Sequence, residues 1–268
     1  MAVPFRDDLP SRRPSWLTMV LIGVLTFVFL VLQPALFQRP ATSGSGSVDA
    51  STTREVAEAE TFLMRWGTVP CEVTTGRAVI ERPDGCDEAL TRHLPGEKSV
   101  PLSLLTALFL HADVFHLAGN LLFLWVFGNN VEDRLGRGWY VLLYLVGGVA
   151  ASLTFVAFNQ HSAAPLIGAS GAIAAVMGAY LVFQPRARVL TGIVAVPQVV
   201  YLPAAAVLGL YFVTQFFTVD DGVAWQAHAG GMVAGALLAL LVGRLPSIRA
   251  RARTDVDVGL RRPAPRPF

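Results

Sequence analysis

Charged residues are scarce in this chain of 268 residues: they make up 15% of it, against 53% hydrophobic residues. Such a composition excludes an ordinary soluble domain. Six uncharged runs are long enough to cross roughly 30 Å of hydrocarbon. Because the hydrocarbon core contains no water to hydrogen-bond with the backbone, each run should be helical. We therefore predict an all-α membrane protein, a bundle of six transmembrane helices. The runs lie near residues 16–37, 114–131, 139–158, 166–185, 199–218 and 223–243.

Cysteine is equally scarce, since Cys71 and Cys86 are the only two, and both fall in the long loop between the first two runs. Two thiols alone are too few for a metal site. If this loop is extracytoplasmic, an oxidising compartment favours a structural disulfide between them. The same loop contains a Gly/Ser-rich linker at 42–47 and then a short amphipathic helix. This helix lies either on the membrane surface or against the protein domain. Its apolar face comprises Val56, Ala59, Leu63 and Trp66.

Lysine occurs only once in the sequence, and the net charge is only +2. The arginines cluster beside alternate ends of the apolar runs. The positive-inside rule then predicts that both termini are cytoplasmic, and no nucleic-acid partner is implied. No small-x-small cleavage site follows the first run, so we expect it to be retained as a membrane anchor. The predicted segments are a cytoplasmic tail (1–15), the first transmembrane helix (16–38), the extracytoplasmic loop (39–100), the core (101–243) and an Arg/Pro-rich cytoplasmic tail (244–268).

Two polar side chains interrupt apolar runs: Ser170 opens the fourth run and His228 lies near the start of the sixth. Small residues recur at every third or fourth position beside them, which lets two helices approach closely. Ser170 Oγ could then reach a ring nitrogen of His228, and a serine nucleophile needs such a base. The stripes are Ser170, Ala174 and Gly178 against His228, Gly231 and Gly235. The glycines expected to support the site are Gly168, Gly171, Gly231 and Gly235.

A second polar pair lies in the second run, where His116 and Asn120 are four residues apart and so share one helix face. Polar groups at membrane depth are functional by default, although interhelical hydrogen bonds are the alternative. With the N-terminus inside, the second, fourth and sixth helices run from outside to inside. All four polar groups then lie toward the outer side, where a hydrolytic site could reach water.

These motifs resemble the rhomboid intramembrane serine proteases: His-x-x-x-Asn, Gly-x-Ser-Gly and Ala-His-x-x-Gly occur in the family order on three helices. The Glu-x-Arg segment at 132–134 is also similar, and the resemblance covers roughly 101–243 plus the first run. It implies a six-helix core in which Ser170 is the nucleophile and His228 the base. It also implies an oxyanion hole made of His116, Asn120 and the backbone N–H of Ser170. No cofactor or metal is implied, and the expected partners are the bilayer and single-span substrates.

The chain departs from the family pattern at two places. Leu102 and Ser103 stand where many rhomboids carry Trp-Arg, and Ala174 stands where many carry an aromatic that stacks on the catalytic histidine. We therefore expect His228 to be held by another group, such as a Phe or Tyr of a different helix. Neither departure removes a reacting group.

Three other functions compete with proteolysis by a serine. A zinc protease would need a motif such as His-Glu-x-x-His, and a transporter of the broken-helix type would show an inverted repeat; neither pattern is present. A rhomboid-like pseudoenzyme that binds membrane helices without cleavage would characteristically lack the serine or the histidine. Because both are retained, the sequence favours an active protease in the cell membrane. It leaves the substrate and the oligomeric state open.

Overall fold

The computed structural model describes residues 2–9, 13–34, 50–78, 86, 98–193, 198–215 and 224–251, and most of them are helical. Among these residues, three helices are long and apolar enough to cross a membrane, namely Val114–Leu135, Arg137–Phe158 and Trp225–Val242. Shorter apolar helices are Trp16–Leu32, Val100–Phe109, Ser170–Phe183 and Ala204–Gln215. Six membrane crossings remain a prediction. The helices are α1 (Trp16–Phe27, continued by a π turn Val28–Leu32), α2 (Ala50–Trp66), α3 (Pro70–Thr75), α4 (Val100–Thr106, continued by a 3₁₀ turn Ala107–Phe109), α5 (Val114–Leu135), α6 (Arg137–Phe158), α7 (Ser170–Phe183), α8 (Ala204–Gln215) and α9 (Trp225–Val242).

Helix α7 is the centre of the bundle, since residues 171–180 are all buried, and it packs against α5, α6 and α9. The small-residue stripes permit this close packing. A Cβ on Gly235 would collide with the carbonyl oxygen of Ala175, and one on Gly178 with that of Met232. Because these atoms belong to backbone, they could not move aside cheaply. The predicted approach of the fourth and sixth helices is therefore confirmed.

The start of α1 is fixed by a carboxylate from α5. Glu132 accepts hydrogen bonds from the backbone N–H of Leu17 (3.1 Å) and Thr18 (2.8 Å) and from the Thr18 hydroxyl (2.9 Å). A negative charge at a helix N-terminus satisfies free N–H groups and complements the helix dipole. The Glu-x-Arg segment thus attaches the first helix to the core.

The prediction of an all-α protein is wrong in one respect, because a three-stranded antiparallel sheet is present, with the order β1-β2-β3. Its strands are β1 (Ala2–Asp7), β2 (Arg188–Ile193) and β3 (Gln198–Pro203). The predicted 1–15 tail thus contains a paired strand, and the fifth run begins with β3 before α8 starts at Ala204. The valines and the tyrosine of β3 contributed to the hydropathy that predicted a membrane helix here, but β-branched and aromatic residues also favour strands.

The first strand is also tied to the helical core through Asp7. Its Oδ2 accepts hydrogen bonds from the Tyr180 hydroxyl (2.6 Å) and the Asn130 side-chain amide (2.5 Å). Burial, with a smaller contribution from the nearby charge of Asp8, raises the pKa of Asp7 to about 6. The N-terminal strand is therefore held by a carboxyl group whose pKa is raised by its burial.

The segment between α1 and α5 packs on the bundle. Cys71 and Cys86 form a disulfide, and Glu72 forms a buried ion pair with Lys98. Burial lowers the pKa of Lys98, against the raising effect of Glu72. Helix α2 buries Ala59 against the main core, although Val56 stays exposed, so of the two predicted locations it takes the one against the domain. The linker at 42–47 and the C-terminal tail beyond residue 251 lie outside the described residues.

This segment also reaches the chain that leads into α7. Thr68 and Leu166 exchange backbone hydrogen bonds of 3.0 and 2.7 Å, and the Cys71 N–H donates to the Ser162 carbonyl at 3.1 Å. The disulfide-linked segment thereby supports the loop that precedes Ser170.

Candidate active site

Ser170 is the first residue of α7, and the turn before it depends on glycine. Gly168 has φ of +125°, in the region that favours glycine, and its N–H donates to the Ala107 carbonyl at 2.9 Å. The first N–H groups of a helix have no partner within the helix and carry its positive dipole end. Ser170 therefore combines a hydroxyl with a backbone donor at a site suited to an anion.

The structure brings Ser170 and His228 together. Ser170 Oγ lies 2.8 Å from His228 Nε2, within hydrogen-bonding distance, across the close contact between α7 and α9. His228 is only 7% exposed and belongs to the buried stripe of α9, together with Gly231 and Gly235. The remaining predicted glycine, Gly171, is also buried, and its carbonyl faces Gly231.

The opposite nitrogen of His228 has a partner that sequence reasoning missed. His228 Nδ1 lies 2.8 Å from Oε1 of Gln215, in the last turn of α8. An amide oxygen can only accept, so this contact assigns the ring proton to Nδ1 and leaves Nε2 free to accept the Ser170 hydroxyl proton. A polar residue within the fifth apolar run was the available signal, since such groups usually face the bundle interior.

Tyr211 lies one turn before Gln215, and its ring centroid is 6.3 Å from that of His228 with the planes inclined by 39°. It is the tyrosine of another helix that the sequence led us to expect near His228. The position of the usual family aromatic, Ala174, is buried inside α7. Helix α8 thus contributes two neighbours of the His228 ring, Gln215 and Tyr211.

His116 lies on the other side of Gly168. Its Cε1 and Nε2 atoms are 3.0 and 3.1 Å from the position that a Cβ on Gly168 would take, and Ser170 Oγ is 3.5 Å from the same point. The Ala112 N–H donates to His116 Nδ1 at 3.3 Å, which assigns the ring proton to Nε2. A hydrogen-bond donor therefore faces the space beside Ser170.

Asn120 follows His116 by one turn of α5 and is 7% exposed. Among the described residues, its Nδ2 has no hydrogen-bond partner. A buried amide without a partner is costly, so its presence calls for an explanation, of which a catalytic role is one. His111 packs edge-on against His116 at 5.3 Å, and the Gln33 side chain binds both backbone groups of His111. These contacts position the start of α5 and were not foreseen from the sequence.

The other departure from the family pattern lies on α4. Leu102 is 48% exposed, whereas Ser103 is buried and its carbonyl accepts the Thr68 hydroxyl at 3.0 Å. These two residues therefore serve different purposes, one at the surface and one in packing. Within the described ranges, no three His, Cys, Asp or Glu side chains come together in a way that could hold a metal ion.

The chain belongs to the rhomboid family, because the Rhomboid domain matches residues 99–245, more than half of its length. It is 32% identical over 153 residues to presenilin-associated rhomboid-like protein A, mitochondrial, of Danio rerio, covering 53% of this chain and 37% of the relative. It is 31% identical over 141 residues to rhomboid protease GluP of Bacillus subtilis, covering 52% and 26%. It is also 29% identical to rhomboid protein 1, mitochondrial, of Saccharomyces cerevisiae, covering 51% and 40%. The matched region thus spans less than half of each of these relatives.

Proposed function

We propose that this protein is an intramembrane serine endopeptidase with Ser170 as nucleophile and His228 as general base and acid. The observation that supports this most directly is the 2.8 Å approach of Ser170 Oγ to His228 Nε2. A hydroxyl is a weak nucleophile until a base takes its proton. His228 takes that proton during attack on the scissile carbonyl and then donates it to the leaving amine.

The developing oxyanion is stabilised by three donors: the His116 Nε2–H, the Asn120 amide and the Ser170 backbone N–H. His116 is supported by its tautomer and its position beside Gly168, and Asn120 by its buried amide without a partner. Fixed donors aimed at developing charge in a site of low dielectric are commonly the largest catalytic contribution.

Gln215 is a positioning residue in this mechanism. Its oxygen holds the proton on Nδ1 of His228 and so keeps the Nε2 lone pair directed at Ser170. Gln215 thus orients the histidine and fixes its tautomer, as the aspartate does in a Ser-His-Asp triad, but it carries no negative charge.

The substrates are single-span membrane proteins cut at or near the outer membrane boundary. This is supported by the arginine distribution, which favours cytoplasmic termini and hence a start of α7 toward the outer side. The expected location is the cell membrane. Two of the three relatives named above are mitochondrial by name, so a mitochondrial membrane is the alternative.

The test uses purified protein in detergent with a fluorogenic transmembrane-peptide substrate. Ser170→Ala and His228→Ala should each abolish cleavage, whereas Ser152→Ala and His161→Ala, a buried helix serine and an exposed loop histidine, should retain it. A fluorophosphonate should label the unmodified protein at Ser170 alone. Cleavage that survives both active-site substitutions would refute the dyad. Substrate binding without cleavage or labelling by the unmodified chain would instead favour the pseudoenzyme.

A further inference from the structure

A polar cavity lies at the end of the bundle opposite the Ser170–His228 site. It has a volume of about 360 Å³ and is lined by three arginines, Arg13, Arg137 and Arg251, together with Glu132 and Asp133. We call it the arginine cavity. His116 and Glu132 are sixteen residues apart on α5, which corresponds to about 24 Å along a helix. The arginine cavity is therefore remote from the Ser170–His228 site.

The three arginines come from distant parts of the chain. Arg13 precedes α1, Arg137 is the first residue of α6, and Arg251 follows α9. Three guanidinium groups repel one another, so bringing them together costs free energy that other interactions of the fold must offset. Such a convergence is typical of a site for an anion.

Among the described residues, the lining contains three guanidinium groups and two carboxylates, Glu132 and Asp133, so the charge that remains is positive. The carboxylate of Glu132 is buried and accepts three hydrogen bonds from the start of α1. The N-terminus of α6, which has no side-chain cap, adds its positive dipole end.

One of the arginines is held in place by the backbone. Arg251 Nη1 donates to the Asp133 carbonyl at 3.3 Å. Its guanidinium also lies against Gly136, where an added Cβ would be 2.7 Å from Nη2 and where φ is +80°. The turn between α5 and α6 thus requires glycine for its conformation, and the guanidinium of Arg251 packs against it.

The surroundings indicate a location at the membrane–water interface. Trp16 is the first residue of α1 and is 60% exposed, and Trp139 lies in the first turn of α6 and is 36% exposed. Tryptophan is enriched at the headgroup level, and the two helices continue from there into apolar sequence. Basic pockets between membrane helices at this level suit lipid phosphates.

We propose that the arginine cavity binds the phosphate of an anionic lipid headgroup in the leaflet nearest the chain termini. Bidentate guanidinium contacts provide the affinity, and the tryptophans set the depth of the lipid. The proposal does not depend on proteolytic activity, since it rests on a separate site.

The test measures lipid binding to the full chain by native mass spectrometry from mixed micelles titrated with phosphatidylglycerol, phosphatidylcholine or inorganic phosphate. Phosphatidylglycerol should be retained and phosphatidylcholine should not. Arg137→Gln should weaken retention about fivefold, and Arg13→Gln with Arg137→Gln about thirtyfold. Arg186→Gln, which removes an exposed arginine outside the cavity, should leave retention unchanged.

Two outcomes would overturn the proposal. Equal retention of phosphatidylglycerol by the double variant and the unmodified chain would remove the cavity from lipid binding. Displacement of the lipid by millimolar inorganic phosphate would identify a free-phosphate site instead. A thermal melt of each variant, together with Arg137→Lys, which keeps the charge but loses the bidentate geometry, separates lost binding from lost folding.

Discussion

Replacing Gln215 by leucine tests how His228 is held. Leucine has a similar length and is compatible with an apolar helix, but it offers no acceptor to His228 Nδ1. A buried donor left without a partner costs about 1–3 kcal/mol. In the proposed mechanism the reactive state has the proton on Nδ1 and Nε2 directed at Ser170. Without Gln215 the ring can rotate or change tautomer, so the cost destabilises this reactive state relative to the others. The expected decrease in kcat is therefore about 5- to 150-fold.

The effect should fall on kcat rather than on KM. Gln215 contacts the Nδ1 side of the ring, whereas Ser170 contacts the Nε2 side. A group that does not touch the substrate changes its binding little. The assay is steady-state cleavage of the transmembrane peptide, with the rate of fluorophosphonate labelling of Ser170 as a second measure of nucleophilicity.

Two further variants make this prediction specific. Gln215→Glu retains an acceptor at the same distance along the side chain and should preserve most of the activity. Thr214→Val removes the hydroxyl of the neighbouring residue, which donates to the Tyr211 carbonyl within α8 at 2.8 Å, and should have little effect. If Gln215→Leu cleaves at the rate of the unmodified protein, or if Gln215→Glu is equally impaired, Gln215 does not position His228.

Three other properties can be measured by thermal unfolding in detergent. Gly235→Ala should strongly lower the Tm, because its Cβ meets backbone of α7, whereas Gly209→Ala, with open space around it, should not; equal effects would contradict the proposed packing. Reducing Cys71–Cys86, which closes a loop with a sequence separation of 15, should cost about 3 kcal/mol, and an unchanged Tm after reduction would disprove this. Because burial raises the pKa of Asp7 to about 6, the folded chain binds a proton that the unfolded chain releases. Its stability should therefore fall as the pH rises from 4 to 7. Asp7→Asn should remove that decline, and an unchanged decline would assign it to other groups.

Much of the architecture is contained in local sequence patterns. Apolar runs predicted the helices, since a run of that length can satisfy its backbone only as a helix in lipid. The spacing of small residues predicted the contact of α7 with α9, because glycine and alanine at every third or fourth position leave one face free of bulk. The pairing of Ser170 with His228 followed from those two faces.

Hydropathy could not distinguish β3 from the start of the fifth run. The segment from Gln198 to Pro203 is uncharged and runs directly into the apolar residues of α8. Its strand conformation depends on a partner, β2, and through it on β1 near the start of the sequence. A strand is stabilised by cross-strand neighbours rather than by its own sequence.

The sequence by itself determined which residues are apolar, which are small and which carry chemistry, because these properties belong to single side chains and their spacing. The tertiary structure alone decided which polar groups meet: Gln215 with His228, Glu132 with the start of α1, and Arg13, Arg137 and Arg251 around one cavity. Each of these contacts joins side chains from separate segments. Their distance depends on the packing angle and depth of whole helices, to which no local pattern is sensitive.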